Sequence, residues 1–392
     1  MNPSATGWFK KLLKEVSVQD AFFKCDFNDF YNQLRTCGFI YGSNVHCIHS
    51  KYAEFDLTEE ELTKLNLALS LIYIYNNDSK KTDSFSDSII KYYKAISEFK
   101  TSFLDELFGE KTGDELLEKI FHKRIHIDDN IITKNFNYFI TNAVLFSDVL
   151  GYKQFLKSED RIKPYLKKLE SAIEISVYTA LDTKEIKSDY DESLMKLFEA
   201  SLRYKSNNKK TLDTILPFIN KPLEKFYLID ILVMSLWDDK VIDKREKKFL
   251  RGISQEIEIE FDYVLEAESR LNQFYKKHKN SIALFNSKNP VQSFYDNSGK
   301  MVNKLIKRNK KRLIREIQES KELMYLISKS TTKGLTDDEQ KKAQNQLIDI
   351  FKSIPSLAIF MLPGGMLLLP LVMKFIPKLL PSAFDDNRIE EK

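Results

Sequence analysis

The chain has 392 residues, 43% of them hydrophobic and 30% charged, with a formal net charge of +4. That length holds two or three domains with a sizeable core, while so small a charge excludes a polycation, so any basic surface has to be local. Three cysteines, Cys25, Cys37 and Cys47, exclude a disulfide framework and fit a reducing compartment, and 11 glycines with 10 prolines favour long helices over turn-rich sheets.

The first residues, MNPSATGWFKKLLKEV, have no apolar stretch behind their charges, so no secretory signal is read and the bulk of the chain is expected in the cytoplasm. Trp8, Phe9, Leu12, Leu13 and Val16 against Lys10, Lys11 and Lys14 spell a short basic amphipathic helix. It docks on the fold in the first reading and lies on a membrane surface in the second. Residues 18–42 read as one helix, with Phe22, Phe23, Phe27, Phe30 and Leu34 on its apolar face. The spacing of Cys37, His46, Cys47 and His49 matches no common zinc finger, so buried thiols are expected there rather than a metal. Thr58 and Glu61 form a capping box ahead of an apolar helix through Leu62, Leu65, Leu69, Ile72 and Tyr73. A polar linker, NNDSKKTDSFSDS, spans 76–88; helices follow over 89–108, 114–121, 131–150 and 165–181. His122 and His126 are four apart, but RIHIDDN alternates like a short strand or loop, which leaves the ligand reading weak.

Between 211 and 259 two apolar helices flank an acidic bend that holds Asp238, Asp239, Asp243 and Glu246. Asp243 as N-cap with Glu246 three residues on makes a capping-box variant. A cation site is the lesser reading, because Lys240 and Ile242 stand where an EF-hand loop needs oxygen ligands. With Val241 and Ile242, these residues resemble the TerB-type tellurite-resistance module, which implies a helical module over 211–290. A fainter helix–bend–helix lies over 177–197, and a third over 323–350, where Thr336 and Glu339 form a capping box and Gly334 suits a helix C′ position.

Residues 287–300 read as a hinge. Beyond them Lys304, Lys307, Arg308, Lys310, Lys311, Arg312 and Arg315 make the densest positive run in the chain, with Leu305, Ile306, Leu313, Ile314 and Ile317 on its apolar side. Such a run is first a solvated helix face, then a surface for anionic lipid head groups, and last a contact for RNA or the ribosome, since no stacking aromatic is interleaved.

From Ser353 to Met373 the chain carries no charge, and a helix of that length rises about 30 Å, the thickness of the bilayer interior. Yet Pro355, Pro363, Gly364, Gly365 and Pro370 interrupt it, and Pro377 and Pro381 follow, so that five of the ten prolines fall here. In a soluble helix each interior proline costs about 3 kcal/mol. The alternative to a span is a buried or re-entrant hairpin turning at Pro363-Gly364-Gly365, each arm too short to cross alone.

This run resembles the membrane segment of the leucine-zipper/EF-hand-containing transmembrane (LETM) family. The matching pieces are Ile354-Pro355, Leu362-Pro363, Leu369-Pro370, Lys374-Phe375-Ile376-Pro377 and Leu380-Pro381-Ser382-Ala383-Phe384. The resemblance implies membrane association and a part in cation homeostasis, as K⁺/H⁺ or Ca²⁺/H⁺ exchange, and it brings in ribosome binding. A loose biofilm-associated label comes with bacterial relatives. In the family a long soluble region after this segment carries the ribosome-binding part; this sequence ends at Lys392, which puts the ribosome behind lipid as an expected partner. A single uncharged segment cannot line an ion path, so transport would need a homo-oligomer.

The expected fold is all-α, a multi-helix bundle of helical hairpins with a C-terminal proline-broken hydrophobic segment. Its parts are an N-terminal helical domain over 1–210, the TerB-like module over 211–290, a basic helix and helical hairpin over 291–352, the hydrophobic segment over 353–384, and a polar tail over 385–392. No nucleophile–base motif, Gly-rich phosphate loop or H-E-x-x-H occurs and histidines number five, so neither catalysis, a cofactor nor a small-molecule substrate is expected. A non-catalytic interaction or scaffold protein is the rival function.

Overall fold

The computed structural model describes residues 1–17, 19–78, 83–100, 113–125, 143–187, 191–192, 195, 211–237, 242–278, 299, 302–332, 334–354, 357, 372 and 376. The described residues are helical, with no strand among them, as the sequence predicts. The first group of helices is α1 (Trp8–Glu15), α2 (Ala21–Lys24), α3 (Phe27–Cys37), α4 (Glu59–Asn76), α5 (Phe85–Lys100) and α6 (Asp114–Ile125). Next come α7 (Phe146–Lys157), α8 (Ile162–Thr183), α9 (Leu212–Ile215), α10 (Pro222–Leu236), α11 (Lys244–Glu256) and α12 (Phe261–His278). Residues 302–308 are helical, and α13 (Lys310–Glu319), α14 (Lys321–Thr332) and α15 (Asp337–Ser353) complete the order.

One apolar core runs from Trp8 to Tyr275, so α1–α8 and α9–α12 share it across the boundary placed at 210. Two helices lie at its centre. On α4 every residue from Glu60 to Ile74 is buried, and α10 is buried over most of its circumference, the pattern of helices surrounded by others rather than lying on a surface. α4 packs on α6 and α7, while α10 packs on α8 and α12. Thr58 and Glu61 form the capping box predicted for α4, with Thr58 N–H donating to Glu61 at 2.8 Å.

The helix expected over 18–42 is broken. The Asp26 carboxylate accepts from the N–H groups of Asn28 (2.9 Å) and Asp29 (2.8 Å), which starts a new helix at Phe27. Gly38 then ends it at a φ of 86°, with Phe39 N–H bonded back to the Leu34 carbonyl. The apolar spacing runs through both punctuation residues, which is why periodicity alone joins the pieces. The amphipathic α1 docks on the fold: Trp8, Phe9 and Leu12 are buried, and both aromatic rings pack on Phe121 of α6. Its first amides are satisfied by a remote carboxylate, since Gly7 and Phe9 N–H groups both donate to Glu118 at 3.0 Å. α6 takes in His122 and runs on to Ile125, past the expected end at Phe121 and into the first two residues of the RIHIDDN read as strand or loop; His126 lies outside the described residues, as do 101–108 and 131–142 of two expected helices.

A second, smaller core joins Val302, Leu305, Ile306, Leu313, Ile317, Leu323, Leu326, Ile327, Ala343, Leu347 and Phe351. It is built by 302–308 and the three helices behind them. α14 and α15 form the helix–bend–helix foreseen around Gly334, with the Thr336–Glu339 capping box in place and Lys329 paired to Glu339 at 2.6 Å. Ile354, Leu357, Val372 and Ile376, all from the apolar run or its edge, are buried in this same core.

Candidate functional site

The positive run sits where the second core meets the first, and packing divides its seven cations into two sets. Val302, Leu305 and Ile306 are buried in the second core, which places Lys304 and Arg308 against the first. Lys304 pairs with Asp56 at 2.6 Å and also donates to the Leu57 carbonyl. Arg308 makes a two-pronged contact with Glu61, Nη2 to Oε1 at 2.6 Å and Nη1 to Oε2 at 2.8 Å. Glu61 is fully buried and also accepts from the Ser4 hydroxyl at 2.7 Å. Burial pushes its carboxyl up, but the guanidinium of Arg308, with Thr58 N–H and Ser4, outweighs that and holds it below the ordinary value of 4.5. Arg312 donates to the Ser353 carbonyl at the last turn of α15, where helix carbonyls lack intrahelical partners.

Three of the seven are therefore structural. Lys307, Lys310, Lys311 and Arg315 are exposed and have no ion pair or side-chain hydrogen bond among the described residues. On α13, burial of Leu313 and Ile317 turns Lys310, Lys311 and Arg315 to the outside. The result is a stripe of exposed cations, unpaired among the described residues, beside the chain segment that leads into the apolar run. The sequence missed the pairing of Arg308 with Glu61 because 247 residues separate them. Nothing local marks it: Glu61 already has a complete role in its own capping box.

The acidic bend is a capping device at the two positions that can be described. Asp243 accepts from Glu246 N–H at 2.8 Å, and Asp243 N–H donates to Glu246 at 2.8 Å. Asp238 and Asp239 lie outside the described residues. Among the described residues no group of three or more His, Cys, Asp or Glu side chains could hold a metal ion. His49 instead faces Asp20 at 3.1 Å, and Cys37 and Cys47 are buried in the first core.

Pro355, Pro363, Gly364, Gly365, Pro370, Lys374, Pro377, Leu380, Pro381, Ser382 and Phe384 all lie outside the described residues. Among those that are described, no helix is long and apolar enough to cross a membrane. What can be placed is the flank: Ile354 and Leu357 at its start and Val372 and Ile376 near its end, each no more than 1% exposed.

No curated protein and no solved structure matches the chain. A family model does: residues 335–392, which take in α15 and the apolar run, match the one described as LETM1-like, RBD. The C-terminal part of this chain is thus LETM1-like.

Proposed function

We propose that this is a LETM-related, membrane-associated helical protein, held at an anionic lipid surface by the exposed cations of residues 307–315 and by the apolar run behind α15. The observation that carries the reading is the run of Lys307, Lys310, Lys311 and Arg315, exposed and unpaired among the described residues, next to the segment that matches the family. Lys and Arg residues close to an anionic leaflet contribute about 1 kcal/mol each, so four supply about 4 kcal/mol before any apolar insertion. The test is flotation with phosphatidylserine-containing vesicles. Changing Lys310, Lys311 and Arg315 to Gln removes about 3 kcal/mol and should lower partitioning more than a hundredfold. Unchanged flotation rejects the lipid surface; loss of salt-sensitive co-sedimentation with ribosomes in the same variant moves the stripe to RNA.

Cation homeostasis is the finer part of this proposal. It requires several copies, with proline- and glycine-broken backbone offering carbonyls to the ion. Purified protein in sealed vesicles should then exchange K⁺ or Ca²⁺ for protons; absence of flux ends that part and leaves membrane association standing.

A second reading is favoured by a specific observation. Both ends of the apolar run return to one protein core, through Ile354 and Leu357 on one side and Val372 and Ile376 on the other. This supports a buried or re-entrant hairpin in a non-catalytic interaction protein. Alkaline-carbonate washing separates the two: a protein retained in the membrane pellet is integral, and one released is peripheral or an interaction module.

A further inference from the structure

A cleft of about 210 Å³ lies on the first core, far in sequence from the cationic stripe. The first turns of α3 and α10 form two of its walls, through Phe27 and Asn28 on one side and Lys221, Pro222 and Leu223 on the other. α7 supplies Leu150, Lys153 and Lys157, and α8 supplies Tyr165.

The charges in it do not balance. Three ammonium groups, Lys153, Lys157 and Lys221, face one carboxylate, Glu224. Glu224 is already committed: its Oε1 accepts from Lys221 Nζ at 3.0 Å and from the Tyr165 hydroxyl at 2.6 Å. Lys221 is held by that contact, by Gln154 at 3.2 Å, and over the Tyr165 ring at 4.3 Å. Lys157 is exposed. Lys153 is half-buried, stands 3.3 Å from the centre of the Phe27 ring, and makes no hydrogen bond or ion pair among the described residues. A ring face offsets a small part of what an ammonium loses on leaving water. Burial first, then the repulsion of Lys157 and Lys221 against the weaker pull of Glu224, push Lys153 down to about 8.

An apolar cleft with excess positive charge and a half-buried ammonium that has no anionic partner among the described residues is the electrostatic complement of an acid with an apolar body. We propose that this cleft binds a small organic anion, a carboxylate or phosphate ester on an apolar or aromatic group, with Lys153 as the principal counter-charge and Phe27, Leu150 and Pro222 as the apolar seat. The site is independent of the membrane reading and stands or falls without it.

Isothermal titration of the full chain with benzoate, phenyl phosphate and benzyl alcohol tests it. At least one of the two anions should bind at a single site, and the neutral alcohol should not. Lys153→Met should weaken that binding at least tenfold while Lys153→Arg keeps it, and without ligand Lys153→Met should melt no lower than the parent, since it removes a desolvated charge. Affinity should fall as pH rises past about 8, where Lys153 in the free protein loses its proton. Should Lys153→Met fail to fold, reductive methylation of the parent chain decides the matter: protection of Lys153 by phenyl phosphate, read by peptide mass spectrometry, supports the site. No binding of either anion, equal binding by Lys153→Met, or equal methylation with and without phenyl phosphate overturns it.

Discussion

Replacing Arg308 with Met isolates one of the contacts that tie the second core to the first. The change keeps the aliphatic stem and removes two charge-assisted hydrogen bonds, at 2.6 and 2.8 Å, from a carboxylate that is fully buried. Stripping one partner from a buried ion pair costs about 3–5 kcal/mol. Arg308 itself is 24% exposed, so water reaches its side of the contact and the loss is reduced to about 2–3 kcal/mol. The pH dependence carries the mechanism. In the parent, Glu61 lies below its ordinary 4.5, so its contribution is complete above that value and is lost as pH falls through the depressed one. In Arg308→Met only Thr58 N–H and the Ser4 hydroxyl still oppose burial, so the carboxyl moves up from its position in the parent and charging it at neutral pH costs more. Urea unfolding followed by helical circular dichroism should show the full difference at pH 7, and a difference that shrinks as pH falls below 4.5 and Glu61 of the parent takes up its proton. An equal midpoint for the two proteins, or a difference that does not change with pH, would refute the argument.

Three further outcomes follow from particular residues. Gly38→Ala should cost more than about 3 kcal/mol in thermal or urea unfolding, because the new Cβ sits 1.9 Å from the Ser43 carbonyl oxygen and 2.6 Å from the Phe274 ring, at a φ of 86°. Gly334→Ala, also at positive φ but with nothing within 4 Å, should cost about 1–2 kcal/mol, and equal losses would show that the close approach at Gly38 is not what matters. Arg35→Met should cost about 3–5 kcal/mol by leaving Asp230, 1% exposed, without its guanidinium at 2.8 Å, whereas Arg35→Met with Asp230→Asn should recover much of it; a double variant as unstable as the sum of the two would contradict the pairing. Burial pushes the thiols of Cys37 and Cys47 up to about 12, so a maleimide at pH 8 should label half-buried Cys25 first and the other two only on unfolding; fast labelling of all three would place the buried pair wrongly.

The features legible in the sequence are those written within one helical turn. Thr58–Glu61, Asp243–Glu246 and Thr336–Glu339 each span four residues, and each forms its capping box. Helix character is equally local, so the all-helical fold of the described residues reads from spacing. Asp26 and Gly38 are also local signals, a cap and a C′ glycine, but the phenylalanine stripe outweighs them when periodicity alone is counted. What escapes is anything set by chain return. Lys304, Arg308 and Arg312 look like Lys310, Lys311 and Arg315 in a charge run; only the arrival of Asp56, Glu61 and the Ser353 carbonyl distinguishes them. The Lys153 cleft draws on α3, α7, α8 and α10, spread over nearly 200 residues, and no spacing rule reaches that far.

The two sets of cations in the basic run call for different probes. Lys304 and Arg308 fix the second core against Asp56 and Glu61, and Arg312 fixes α13 against the end of α15, so these three hold the exposed stripe in a defined position. A charge change among them alters stability and surface presentation together, and a lost binding signal would then have two causes. Lys310, Lys311 and Arg315 touch no partner among the described residues, so their removal should lower affinity for an anionic surface at constant stability. Pairing the two sets of variants separates a surface that recognises anions from a joint that merely contains cations. If the stripe is the recognising surface, the outer set changes flotation without moving the unfolding midpoint, and Arg308→Met moves the midpoint first.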